Sequence, residues 1–279
     1  MGQERHTQRS ISDAAVVAGA KVIHTFKEAE KNICGITLLN NELYTICPGY
    51  VDQVRVYSTS DFKLLRCISV PDLDGARVDD MTSCEKKQCI YLADNGNSCI
   101  HRVGLDSSLN TWPVNGKPRG LSVTRGSNLL VTCCDLLVGY GKLLLLRSDS
   151  GKCVEEIALE SDIKQPWHAV QLSHEEYIVC HGFFNDSRLV EVNADGAVTQ
   201  SNIGGIGLST PRHVAVDSDK AVFVADGTNF RIVLLDPSLR YVRTVIEKMQ
   251  HSPQHLCFDA VARRLYMAQY GGIVSVVQL

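Results

Sequence analysis

The sequence predicts an all-β chain, a six-bladed β-propeller whose blades are four-stranded antiparallel sheets, and two observations predict it. The stretch from Thr210 to Ile246 holds four short runs, HVAVD, AVFVAD, RIVLLD and YVRTVI, rich in Val and Ile and closed by Asp, Gly, Asn, Pro or Ser. Such runs are antiparallel strands joined by tight turns. The unit then repeats. Its Pro-Arg-His-Val-Ala-Val opening returns at Pro118-Arg119-Gly120, Pro166-Trp167-His168 and Pro253-Gln254-His255, with degenerate copies at Gly35 and Asp80. From Gly35 through Asp80, Gly120, His168, His213 and His255 the steps are 45, 40, 48, 45 and 42 residues, close to the roughly 40 to 45 of a propeller blade. A second landmark, the end of each second strand, keeps pace at Cys47, Asp94, Cys133, His181, Asp226 and Gln269.

Taken in order, residues 1–20 open polar and basic (GQERHTQRS) and turn small and apolar only over Ala14 to Ala20. That run is too short and weakly hydrophobic for a secretory core or a membrane span. His6 stands where a myristoylation signal wants Ser or Thr. The expectation is a flexible tail over 1–20 and one propeller domain over 21–279. Lys21 to Phe26 (KVIHTF) reads as a lone strand. The last blade has HLCFD, RLYMAQ and VSVVQL and stops one strand short, so the N-terminal strand is expected to complete it and close the ring, which removes exposed sheet edges.

Blade one spans Gly35 to Val70, with Cys47-Pro48-Gly49-Tyr50 at the turn after its second strand; blade two, Asp80 to Val114, follows an acidic loop from Pro71 to Asp79. Blade three, Gly120 to Leu159, carries an apolar insert, Leu136 to Gly141, that either folds back on the blade or forms part of a partner site. Blade four, His168 to Ile203, has His181-Gly182-Phe183-Phe184 at the matching turn, and blade six has Tyr270-Gly271-Gly272.

The pattern of Pro, then Gly or His, then about ten residues, then Val-Ala-Asp and Gly-x-Asn-x-Arg-Ile resembles the NHL repeat. Asp226-Gly227-Thr228-Asn229-Phe230-Arg231-Ile232 matches best, and Asp94-Asn95-Gly96-Asn97 with Ile100 second. His at three positions where the family usually has Gly is a departure. The resemblance covers about Lys21 to Leu279 and implies a six-bladed propeller. NHL propellers often follow RING and B-box zinc modules in ubiquitin ligases, as in TRIM-NHL proteins, and bind the substrate. This stretch has no such modules, so the resemblance implies an adaptor or substrate-recognition role rather than ligase activity. Some NHL propellers bind single-stranded RNA, and the related amidating lyases are zinc enzymes with a histidine directly after the Pro. Here Trp167, Arg212 and Gln254 stand there instead, so that activity is not carried over.

With 44% hydrophobic and 21% charged residues and a formal net charge of −3, the chain can bury one sizeable core and shows no demand for a polyanionic partner. Eleven scattered cysteines without a C-x-x-C read as free buried thiols in a reducing, cytoplasmic setting. The competing reading is a secreted fold with a bridge such as Cys84 to Cys89.

Function is expected on loops held by the rigid ring. The connections into each first strand and the turns after each second strand should share one face, which gathers Tyr50, Arg77, Arg119, Tyr140, Trp167, Phe183, Phe184, Arg212, Phe230, Gln254 and Tyr270. Aromatic and Arg side chains are those enriched at interface hot spots, so the expectation is a non-enzymatic, monomeric module that binds a protein or peptide through Trp167, Arg212, Arg119, Phe183, Phe184, Phe230, Tyr270, Tyr50 and Gln254. Arg119, Trp167, Arg212 and Gln254 should ring the channel mouth. Single-stranded RNA on the same face is the alternative, with Arg77, Lys117, Arg119 and Arg212 as its basic patch and several Asp opposing it. A metal-dependent hydrolase of the lactonase kind ranks third, since Asp79 and Asp80 offer carboxylates from one blade only. No cofactor, metal, DNA or membrane partner is expected. Strand alternation turns His168, His213 and His255 away from the channel, to bond backbone groups between blades.

Overall fold

The structure, a computed structural model, describes residues 19–47, 53–70, 73, 76–134, 141–183, 186–201 and 206–279. The N-terminal strand β1 (Lys21–Lys27) precedes the first blade, β2 (Gly35–Leu39), β3 (Glu42–Ile46), β4 (Gln53–Ser58) and β5 (Leu64–Ser69). The second blade is β6 (Val78–Cys84), β7 (Cys89–Asp94), β8 (Cys99–Gly104) and β9 (Leu109–Pro113), and the third β10 (Pro118–Val123), β11 (Leu129–Cys134), β12 (Gly141–Leu146) and β13 (Cys153–Ala158). The fourth is β14 (Pro166–Gln171), β15 (Tyr177–His181), β16 (Arg188–Val192) and β17 (Val198–Ser201), and the fifth β18 (Pro211–Val216), β19 (Val222–Asp226), β20 (Arg231–Leu235) and β21 (Tyr241–Ile246). The sixth combines β22 (Pro253–Asp259), β23 (Arg264–Gln269) and β24 (Ile273–Gln278) with β1, in the order β1-β24-β23-β22.

Closure by the N-terminal strand is therefore observed: β1 runs antiparallel to β24, from Lys21 opposite Gln278 to Lys27 opposite Ile273. Glu28, just beyond the strand, locks it onto the first blade. Its buried carboxylate accepts bonds from Thr45 Oγ1 at 2.9 Å, from Arg55 Nη1 at 3.3 Å and from the Tyr57 hydroxyl. Burial raises the Glu28 pKa against the pull of Thr45 and Arg55.

The core lies between blades. Tyr44 and Val54 of the first blade pack with Met81 and Leu92 of the second, and the same layering recurs at each boundary round to Tyr266 and Val274 of the sixth against Ile36 and Tyr57 of the first. Each fully buried large apolar side chain contributes about 1.5–3 kcal/mol, so a blade is stable only between two neighbours. This explains the weak alternation in the second strands: β7, β11, β15 and β19 are buried at every residue, packed by a blade on each face, while the outer strand β5 is largely exposed. Where first strands pass closest, glycine is required. A Cβ on Gly35 would stand 2.4 Å from the Met81 Cβ, and one on Gly120 would stand 2.5 Å from the Trp167 carbonyl oxygen.

No disulfide joins any of the eleven cysteines. Cys84 and Cys89 face each other across the β6–β7 hairpin, both buried and unbridged, so the bridge proposed for them does not form. No helix among the described residues is long and apolar enough to cross a membrane. The expected tail lies outside the described residues except at its last two positions.

Candidate functional site at the channel mouth

The strands β6, β10, β14 and β22 each carry a register shift just after their first residue, between Val78 and Asp80, Pro118 and Gly120, Pro166 and His168, and Pro253 and His255, and β18 slips between Pro211 and Val214. A bulge re-aims side chains that strict alternation would send to opposite faces. In β6, β14, β18 and β22 two consecutive side chains therefore reach the channel, and in β10 only Arg119 does, since Gly120 follows it. Asp79, Arg119, Trp167, Arg212 and Gln254 form an upper ring with Cys34 and Arg77. Asp80, His168, His213 and His255 lie with them around one cavity of about 280 Å³.

This corrects the expectation for the histidines. His168 does bond a backbone group of the preceding blade, Nε2 to the Leu121 carbonyl at 3.0 Å, but all three histidines also converge on Asp80. Asp80 is 1% exposed. Its Oδ1 accepts the Met81 N–H at 2.8 Å and lies 3.1 Å from His255 Nδ1. Its Oδ2 accepts the Leu121 N–H at 2.8 Å and lies 3.6 Å from His213 Nε2 and 3.7 Å from His168 Nε2. The His168 and His213 rings stack at 3.6 Å, and the Nδ1 of each has no hydrogen-bond partner.

Burial alone would raise the Asp80 pKa, but His213 and His255 outweigh it and hold the carboxyl well below its usual range. Burial, helped by His213 and opposed by Asp80, pushes His168 down to about 3; His213 is also lowered by burial, against Asp80. The floor of the cavity is thus one carboxylate beside three imidazoles, of which burial disfavours protonation of His168 and His213. Asp80, His213 and His255 also bring one ligand atom each within 4.8 Å of one another, a spacing that can hold a metal ion. Asp80 was missed as the centre, although the repeat aligns it with the three histidines.

Above this floor the guanidinium groups of Arg119 and Arg212 lie over the Trp167 ring, 4.0 and 4.2 Å from its centroid, and Phe183 meets Trp167 edge-on at 4.9 Å. Trp167 Nε1 donates to the Gly182 carbonyl at 3.3 Å, which fixes the ring. Arg119 is 7% exposed, and its Nε and Nη1 make no hydrogen bond; the Asp79 carboxylate stands 3.5 Å from Nε. Burial lowers the pKa of both arginines, Arg119 against the pull of Asp79 and Arg212 with the help of Arg119, and it raises Asp79.

Arg119, Trp167, Arg212 and Gln254 thus ring the mouth as the spacing implied, and Phe183 braces Trp167. Phe230 and Tyr270 are exposed and do not line the cavity. Tyr50, Tyr140 and Phe184 lie outside the described residues. Asp94 and Asp226 organise turns: Asp94 Oδ1 accepts from the Asn97 and Arg77 backbones, and Asp226 binds Asn229 and Arg231.

No protein-family model matches the chain, and no curated protein sequence does. Solved structures do. Virginiamycin B lyase from Staphylococcus aureus is similar over 93% of this chain and 99% of its own at 12% identity and a TM-score of 0.66. A streptogramin B lyase is similar over 91% and 97% at 10% identity and 0.63, and hydrazine synthase of Kuenenia stuttgartiensis over 88% and 83% at 12% and 0.65. These likenesses establish the propeller; membership of the NHL family is not shown by them. They also overturn the expectation that the chain is not an enzyme. Lyases are among the proteins that share this fold, and one of them is catalytically inactive as a histidine-to-alanine variant. An aromatic and cationic mouth is no argument against chemistry on the floor below it.

Proposed function

We propose that the channel mouth binds a carboxylate-bearing peptide or protein segment, whose acidic group sits on Arg119 and Arg212 while a neighbouring side chain packs on Trp167 and Phe183. The observation that carries this is Arg119: a guanidinium 7% exposed, facing the cavity, whose Nε has only the Asp79 carboxylate at 3.5 Å and whose Nη1 has no hydrogen-bond partner. A buried guanidinium whose donors lack hydrogen bonds is costly even beside one carboxylate, and a charge-assisted, forked carboxylate contact removes that cost. Three guanidinium groups line the cavity against Asp79 and Asp80, which favours an anionic ligand. The test is affinity capture from source cells, scored for protein and RNA, with wild type against Trp167→Ala/Arg212→Ala, followed by titration of captured acidic peptides and their amide counterparts. Protein partners lost in the variant, with acidic peptides bound at least tenfold more tightly than amides, support the reading. RNA recovered by the wild type and lost by the variant, with steep salt dependence, replaces it.

One observation favours a second reading, proton transfer on the bound ligand. Asp80 is held by two backbone N–H groups and lies 3.1 Å from His255 Nδ1, an arrangement that orients an imidazole as a base. Virginiamycin B is a first substrate to offer. Turnover abolished by His255→Ala with peptide binding intact supports this reading; binding without turnover of any ligand identified by capture counts against it.

A further inference from the structure

We propose that Asp94, Cys99 and His101 of the second blade form a Zn²⁺ site separate from the channel. Asp94 Oδ2, Cys99 Sγ and His101 Nε2 approach one another at 3.2 Å (O to N), 3.6 Å (S to N) and 3.9 Å (S to O). Bonds of about 2.0 Å to nitrogen and oxygen and about 2.3 Å to sulfur at tetrahedral angles set donors roughly 3.3–3.6 Å apart, so a zinc ion fits between these atoms with small adjustment. All three residues are buried, at 0%, 6% and 3% exposure.

The site is built by substitution within the repeat. In the fifth blade the equivalent aspartate, Asp226, pairs with Arg231 at 2.6 Å. Cys99 takes that arginine's place opposite Asp94 in the β7–β8 register, and His101 follows two residues on, on the same face of the strand. In blades three to six the positions of Cys99 are held by Lys142, Arg188, Arg231 and Ile273, and those of His101 by Leu144, Val190, Val233 and Ser275. Loss of an ion-pairing arginine and gain of a buried thiol and imidazole around one carboxylate is what a metal ion would balance.

The surroundings orient the donors as metal sites require. The other nitrogen of His101, Nδ1, lies 2.9 Å from Thr111 Oγ1, which can accept a hydrogen bond from Nδ1–H and so leave Nε2 unprotonated as a ligand. Asp94 Oδ1 is occupied by the backbone N–H groups of Arg77 and Asn97, so Oδ2 is the oxygen left for the metal. The exposed Asn97, whose amide nitrogen lies 2.7 Å from Oδ2, caps the outer side, where its carbonyl after rotation, or a water, supplies the fourth donor. On loading, the thiol binds as thiolate and its proton passes to solvent.

Full-length protein stripped with a chelator is titrated with Co²⁺ and read by absorption, then with Zn²⁺ in competition with a chromophoric chelator. One equivalent of Co²⁺ with tetrahedral d–d bands and a thiolate charge-transfer band is expected. The thiolate band should vanish in Cys99→Ser and in Cys99→Arg, which installs the pairing of the fifth blade and guards against a folding defect. It should survive His213→Ala in the channel. Thr111→Val should weaken Zn²⁺ binding about 10–100-fold. Absence of a thiolate band in the wild type, or its persistence in both Cys99 variants, overturns the site.

Discussion

Asp80→Ala should destabilise the ring by roughly 2–6 kcal/mol, because it orphans two buried backbone donors at about 1–3 kcal/mol each. The Asp80 carboxylate is the acceptor of the Met81 N–H on its own strand and of the Leu121 N–H in the next blade, both at 2.8 Å. It therefore ties the second blade to the third at the channel. Asp80→Asn keeps one acceptor oxygen and turns an amide N–H₂ toward the other donor, so it should lose about half as much. It should also lower the His213 pKa further, since Asp80 is the group that opposes burial there. Equilibrium urea denaturation gives the stabilities, with unchanged m-values certifying a two-state comparison, and NMR titration follows the imidazole. An alanine variant within 0.5 kcal/mol of wild type, an order-of-magnitude threshold for a neutral change, would refute the view of Asp80 as the hub of the inner ring.

Deleting residues 21–27 removes the outer strand of the sixth blade and separates Glu28 from its strand; a melting temperature equal to wild type would count against closure through β1. Gly120→Ala places a Cβ 2.5 Å from the Trp167 carbonyl oxygen and 2.8 Å from the His168 Cα, backbone atoms that cannot yield cheaply, so a loss of about 1–3 kcal/mol and weakened ligand binding are expected, checked by denaturation and peptide titration. Burial lowers His181 to about 4 and His168 to about 3 from 6.5; the unfolded chain then binds protons the native state does not, so stability falls as pH drops below 6.5. At pH 5 each group accounts for about 2 kcal/mol of that loss, partly offset by the raised carboxyls of Glu28 and Asp79. His181→Gln should lose about 2 kcal/mol less than wild type between pH 7 and pH 5, and equal losses in denaturation at the two pH values would show that His181 titrates normally.

The period of the repeat, the Pro that opens four of the six first strands and the truncated last blade were enough to specify six blades, their borders and closure by KVIHTF, because each blade repeats one local pattern of strands and turns. The same spacing placed Arg119, Trp167, Arg212 and Gln254 at the mouth, since a residue's position along a strand is a local property. Other features were not legible. Alternation assigned His168, His213 and His255 away from the channel, whereas a bulge at each strand entry turns two successive residues inward. Tertiary structure alone brought Asp80 to three histidines from three other blades, because that meeting depends on the curvature of the closed ring. It alone also left the guanidinium of Arg119 buried with idle donors, for burial is set by what neighbouring blades place around a side chain.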